Sequence, residues 1–269
     1  MKQSIVLSTQ PAQFQAATFK GDLEKNIQQI KSLGYDGVEL AIRDPKLIDI
    51  NNLDQLLQKH NLSVPATGTG QAWGEEGLSF TDPDPSIRGA AIQRVISHIP
   101  VAAHFGAVII IGLVRGIVKP GVDHSQAMEW LVAALSECSA AALPHNTRLA
   151  LEPINRYETT LINDVPQGLD LINKVGADNF GLLLDTFHMN IEEVDIEESI
   201  QACGDRIYHF HVADSNRWYP GAGHLDFNSI LKTLANTGYK GWISGEFQPL
   251  PDPATAAEKS LAYLRQIEI

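Results

Sequence analysis

Eight times along the chain a short run rich in β-branched residues is followed by a longer stretch with helical spacing, and this alternation restricts the fold more than any other feature. The strand-like runs are "QSIVLS", "DGVEL", "LSVPAT", "AVIIIG", "RLALEP", "FGLLLD", "IYHFHV" and "WISGEF". Helical spacing follows over residues 22–33, 52–60, 86–105, 125–143, 165–175, 196–203, 228–236 and 254–267. Runs such as "VIIIG" and "GLLL" are apolar on both faces, as strands of a parallel sheet covered by helices are. Two phrases, "SLGYDGVEL" and "NTGYKGWISGEF", place a glycine at a helix end, then a short turn, then a strand ending in an acid. That is helix C-capping feeding straight into the next strand. Eight such units close most simply into a (β/α)8 TIM barrel. With no linker, low-complexity tract or break in composition, one domain is expected to span all 269 residues.

Charge and composition narrow the partners. A net charge of −12 repels nucleic acid and anionic membrane surfaces, so any anionic ligand must be met by a few local arginines. The longest apolar run, "AVIIIGLV", is far short of the roughly 20 residues that span a bilayer. Two cysteines, Cys138 and Cys203, are too few for a disulfide framework and read as small buried apolar residues. No secretory signal is visible at the N-terminus, and a cytoplasmic protein is expected.

In a barrel of this kind chemistry sits at the C-terminal ends of the strands. The last polar residues of the four late strands are Glu152, Asp185, His211 and Glu246. A single acid at such a place is usually a helix cap or a solvated turn residue. Three carboxylates and an imidazole converging on one mouth are another matter, because like charges repel unless a cation or protons compensate them. The set is rich in oxygen, has one nitrogen and no thiolate, and suits one divalent manganese, with magnesium or cobalt as alternatives. Two connections are longer than a barrel needs, "GTGQAWGEEGLSFTDPDPS" after the third strand and "ADSNRWYPGAGHLDF" after the seventh, and both are expected to build the mouth.

The phrases "LEPINRYETTLIN", "LLLDTFHMNIEE", "YHFHVADSNRWYPGAGHLDF" and "WISGEFQPLP" together resemble the ketose 3-epimerases, the tagatose and psicose 3-epimerase group within the xylose isomerase-like barrels. The likeness spans essentially the whole chain. It implies that Glu152, Asp185, His211 and Glu246 bind one divalent metal. It also implies that Glu158, His188 and Arg217 hold substrate hydroxyls, and that Glu152 and Glu246 act as the acid/base pair. On this reading one glutamate takes the proton from carbon 3 of an open-chain ketose, giving a cis-enediolate, and the other returns it from the opposite face. A small sugar or sugar acid is the implied partner, and assembly as a homodimer or homotetramer is left open.

Arg43, just beyond the second strand, and Arg115, just beyond the fourth, suit bidentate recognition of an anion and raise the expectation of a keto sugar acid. The bland reading of each is a structural ion pair. His209 and His224 are assigned structural roles. Two other functions remain in play. An aldose–ketose isomerase would use the same ligands but return the proton to a neighbouring carbon. A non-catalytic sugar-binding barrel would have little reason to carry four ligands at strand ends.

Overall fold

The computed structural model describes residues 1–268. Its strands are β1 (Lys2–Ser8), β2 (Gly37–Ala41), β3 (Ala66–Gly68), β4 (Val108–Ile111), β5 (Leu149–Leu151), β6 (Phe180–Asp185), β7 (Ile207–Val212) and β8 (Trp242–Gly245). They pair in chain order, all parallel, and β8 closes on β1. The closed (β/α)8 barrel expected from the alternation is therefore the fold. Around it stand α1 (Leu23–Leu33), α2 (Ile50–Lys59), α4 (Pro85–Phe105), α5 (His124–Ala142), α6 (Val165–Val175), α8 (Ile196–Cys203), α9 (Phe227–Asn236) and α10 (Pro253–Leu264). Two short helices that the spacing did not announce, α3 (Gln71–Glu76) and α7 (Thr186–Glu192), lie in loops at the C-terminal ends of β3 and β6.

Aspartate starts these helices. Asp22, Asp49, Asp84, Asp164, Asp185, Asp195, Asp226 and Asp252 each accept a backbone N–H of the first turn through the side chain, which satisfies donors that the helix itself leaves free. The third strand is shorter than "LSVPAT" suggests. Pro65 has no N–H to give the ladder; its carbonyl accepts from Val108 N at 2.9 Å, and only Ala66–Gly68 run as strand. Ser63 instead bridges Gly37, where a Cβ would lie 2.6 Å from the Ser63 carbonyl oxygen, so a glycine is required at that crossing.

Side chains alternate across each strand, so every second residue points into the barrel. On one side of the interior Ala66, Val108, Ile110, Ala150 and Leu183 form an apolar cluster. Across from it, Glu39, His209 and His211 are buried together. Between barrel and helices lies the large core, with Phe80, Phe180, Phe210, Phe227 and Phe247 among its fully buried members. Cys138 and Cys203 are free thiols, both buried in it. Among the described residues no helix is long and apolar enough to cross a membrane.

Candidate active site

Glu152 follows β5, Asp185 ends β6, His211 lies one residue before the end of β7, and Glu246 follows β8. The register sets Asp185 directly beside His211, so both point to the same side of the sheet. Ligand-type atoms of the four residues all lie within 4.8 Å of one another. His211 Nδ1 stands 3.8 Å from Glu152 Oε1, 3.7 Å from Asp185 Oδ2 and 3.8 Å from Glu246 Oε2. These separations are too long for hydrogen bonds. Glu152 Oε1, Asp185 Oδ2 and His211 Nδ1 are buried without a hydrogen-bond partner. Buried polar atoms are nearly always paired, and three unpaired atoms facing one point are what a cation's donor set looks like.

Asp185 resolves the two readings of its position, because it is both. Its Oδ1 caps α7, accepting from Phe187 N at 2.7 Å and His188 N at 3.4 Å, while Oδ2 faces the cluster. Burial raises its pKa, but His211, His188 and Arg217 outweigh burial and leave it at about 2. The glutamates go the other way. Burial, reinforced by Glu246 and Asp185, pushes Glu152 well above the ordinary carboxyl value. Burial moves Glu246 up to about 7 against the opposing pull of His211 and Arg217. Burial works to lower the His211 pKa, but Glu39 and Glu246 hold it well above the usual imidazole range.

A cavity of about 420 Å³ opens over this cluster, within the usual span of small-molecule sites. Glu158, His188 and Arg217 all line it. Asn155 organises them: its Oδ1 accepts from Tyr157 N at 3.0 Å, which identifies Nδ2 as the donor to both Glu158 Oε1 (3.0 Å) and His188 Nδ1 (2.7 Å). His188 therefore carries its proton on Nε2, 3.8 Å from Glu152 Oε1, and burial brings its pKa down to about 4, so the ring is neutral. Arg217 Nη1 donates to Glu158 Oε1 at 2.8 Å, and the guanidinium lies 4.9 Å from the Phe187 ring centroid and 5.6 Å from that of Phe14. Its backbone sits at φ 61, in the left-handed region that non-glycine residues avoid. Arg217 N donates to Asp214 O at 2.7 Å and Gln248 N donates to Arg217 O at 2.9 Å, which holds it there.

Both long connections contribute to the wall, with Thr69, Gln71 and Glu75 from the first and Arg217 from the second. The loop after β1 was missed and supplies Gln13, Phe14 and Gln15. Its signal was length alone, since β1 ends at Ser8 and α1 begins at Leu23. Glu39, Asn155 and Gln248 were also missed.

The two early arginines are not where an anion would meet them. Arg115 is 0% exposed, and its guanidinium donates to the main-chain carbonyls of Gly112 (3.0 Å), Ile162 (3.2 Å), Ile111 (3.3 Å) and Glu152. It ties β4 to the segment after β5 and leaves no donor for substrate. Arg43 pairs with Glu76 at 3.5 Å, within a group that includes Arg94 and Asp44, and contributes nothing to the cavity wall. Arg217 is the one lysine or arginine lining the cavity among the described residues, and Glu158 already pairs with it.

A family model described as a xylose isomerase-like TIM barrel matches residues 27–267. The chain belongs to that family. Among its relatives, this xylose isomerase-like barrel is 33% identical to an L-ribulose 3-epimerase of Methylomonas sp. (strain DH-1), over 79% of this chain and 74% of that one. It is 27% identical to a 3-dehydro-D-guloside 4-epimerase of Escherichia coli (strain K12), over 93% and 96% of the two chains. The crystal structure of D-allulose 3-epimerase from Methylomonas sp. in complex with D-allulose superposes on the barrel with a TM-score of 0.86 and 26% identity, covering 100% and 97% of the two chains.

Proposed function

We propose that this barrel is a divalent-metal-dependent 3-epimerase of neutral ketoses. The observation that carries the reading is the convergence of Glu152, Asp185, His211 and Glu246 from successive strand ends, three of them with buried, unpartnered ligand atoms. Relatives that act on ribulose and allulose support the reaction class. Those four side chains would hold the cation, and their oxygen-rich chemistry favours Mn2+ over a structural zinc. A divalent cation there supplies Lewis acidity, which makes the C–H beside a ketose carbonyl easier to deprotonate. The free thiols of Cys138 and Cys203 suit a reducing cytoplasm.

The chain's own residues do the rest. His188 offers its Nε2–H, Glu158 accepts and Arg217 donates, so a sugar's hydroxyls are gripped from β5, β6 and β7 loops at once. Phe14 and Phe187 flank the guanidinium. Glu152 and Glu246 approach from different strands and both have carboxyls raised above the ordinary range, Glu246 to about 7, where a group both takes and gives a proton efficiently. One removes the proton at carbon 3, and the other delivers a proton to the opposite face of the planar enediolate.

Neutral ketoses are favoured over keto sugar acids because the cavity wall is acidic and its arginine is already paired. The test is a panel of ketopentoses, ketohexoses and keto sugar acids incubated with the Mn2+-loaded protein and followed by NMR in deuterated water. A neutral ketose should give its C3 epimer with deuterium at that carbon. Faster turnover of an acid would overturn the substrate assignment, and an aldose product would make the protein an isomerase.

A further inference from the structure

Behind the cation's donor set lies a second cluster that shares His211 with it and adds Glu39 and His209, which no functional role so far accounts for. Glu39, in the middle of β2, is 2% exposed and reaches across the barrel interior to β7. Its Oε2 lies 2.7 Å from His209 Nε2 and 3.0 Å from His211 Nε2, and its Oε1 lies 3.1 Å from His211 Nε2. The two imidazoles pack edge to face at 5.3 Å. A carboxylate oxygen only accepts. A proton of His211 must then sit on Nε2, so the nitrogen left to offer its lone pair to a cation is Nδ1, the atom aimed at Glu152, Asp185 and Glu246. In the other tautomer an N–H would point at the cation.

We propose that Glu39 is a positioning residue of the metal centre: it fixes His211 as the Nε2–H tautomer and locks its ring plane, and His209 in turn locks Glu39. This rests on the reading of Glu152, Asp185, His211 and Glu246 as the cation's ligands. An outer carboxylate that orients a ligating histidine also makes the imidazole a stronger donor, and losing such a group weakens metal binding by roughly 10- to 100-fold. Glu39 reaches the floor of the cavity but is not among the four ligands, yet metal affinity should depend on it.

The experiment is calorimetric titration of Mn2+ into metal-free parent, Glu39→Gln and Glu39→Leu, with 15N-histidine spectra of the Mg2+-loaded proteins. The parent should bind one ion per chain and show His211 coordinated through Nδ1, with a slowly exchanging Nε2–H. Glu39→Leu should bind roughly 10- to 100-fold more weakly, with that proton in fast exchange. Glu39→Gln, which keeps an acceptor without the charge and serves if the leucine variant does not fold, should lie between. Affinity within twofold of the parent in Glu39→Gln, even with lowered thermal stability, would reduce Glu39 to a packing residue and overturn the proposal. Two ions per parent chain, one lost with Glu39, would make it a ligand instead. A parent that binds no divalent ion at all would take down the metal reading itself.

Discussion

Glu152 and Glu246 share a residue type and a strand-end position with many ordinary helix-starting acids, and what separates them is desolvation. Both carboxyls are raised by burial, Glu246 to about 7. The amides in Glu152→Gln and Glu246→Gln keep the shape but cannot move a proton, so each variant should lose deuterium incorporation at the substrate carbon by about 100-fold or more. NMR of the product reports this directly, and exchange at the parent rate in either variant would remove that residue from the acid/base pair. Arg115 makes the opposite case. In "IIIGLVRG" an arginine beyond a strand reads identically whether it faces the mouth or folds back, and two of the carbonyls that consume its donors, those of Glu152 and Ile162, lie 37 and 47 positions away. Arg115→Met should take from each of those carbonyls a charge-assisted hydrogen bond worth about 1.5–3 kcal/mol. Urea unfolding should show a net loss of at least about 3 kcal/mol, while the ratio of activity on neutral ketoses to that on sugar acids stays as in the parent.

The element that joins fold to chemistry is the β6–α7 corner, "LLLDTFHMNIEE". Its sequence shows an apolar strand stopping at an acid with a histidine three residues on, and one turn of helix does bring His188 over the same mouth as Asp185. The division of labour between the two oxygens of Asp185 is not in the sequence, since it depends on where β7 lies. It leads to a comparison that isolates the cap. Asp185→Asn and Asp185→Ala both remove the charge and should both weaken Mn2+ binding. In metal-free protein the alanine variant should be less stable by about 1 kcal/mol, because asparagine still caps α7 and alanine does not. Equal stabilities in urea would mean that the cap contributes nothing. The loop after β7 shows a similar limit. Its length marked it as part of the mouth, but the left-handed turn at Arg217 depends on buried Asp214, whose carboxylate accepts from Ser215 N (2.8 Å), Gly221 N (2.8 Å) and Leu225 N (3.2 Å). Those contacts span the whole loop and leave no local signature.

At the scale of the molecule, what was legible follows contact distance along the chain. Strand and helix alternation is local, and parallel strands in chain order need no further information to close, so the barrel and its four late strand ends could be read directly. Glu39 could not, because its partners His209 and His211 are 170 and 172 positions away and "DGVEL" looks like any strand with one acid. The closed barrel gathers Glu152, Asp185 and Glu246 into one mouth of a chain carrying −12 overall, and in metal-free protein protons must relieve the repulsion. A cation can enter only as those protons leave. Glu246, at about 7, and Glu152, also raised well above the ordinary carboxyl value, are the carboxyls that must give them up, whereas Asp185, at about 2, is already ionised throughout the accessible range. The sign is therefore fixed: Mn2+ affinity should tighten as pH rises from about 5 to 7, by about tenfold per unit for each proton displaced, and Glu246 should cease to contribute above about 7. At an ion concentration of about 100 times the dissociation constant, binding adds about 2.7 kcal/mol, which in a chain of this size raises Tm by about 5–10 °C. The same ion concentration at pH 5 should give a much smaller shift, and a chelator should abolish both. Thermal scans across this pH range, with calorimetry in buffers of different ionisation enthalpy to count the released protons, test the argument; a Tm shift independent of pH, or binding without proton release, would show that protonated carboxyls do not hold the empty centre together.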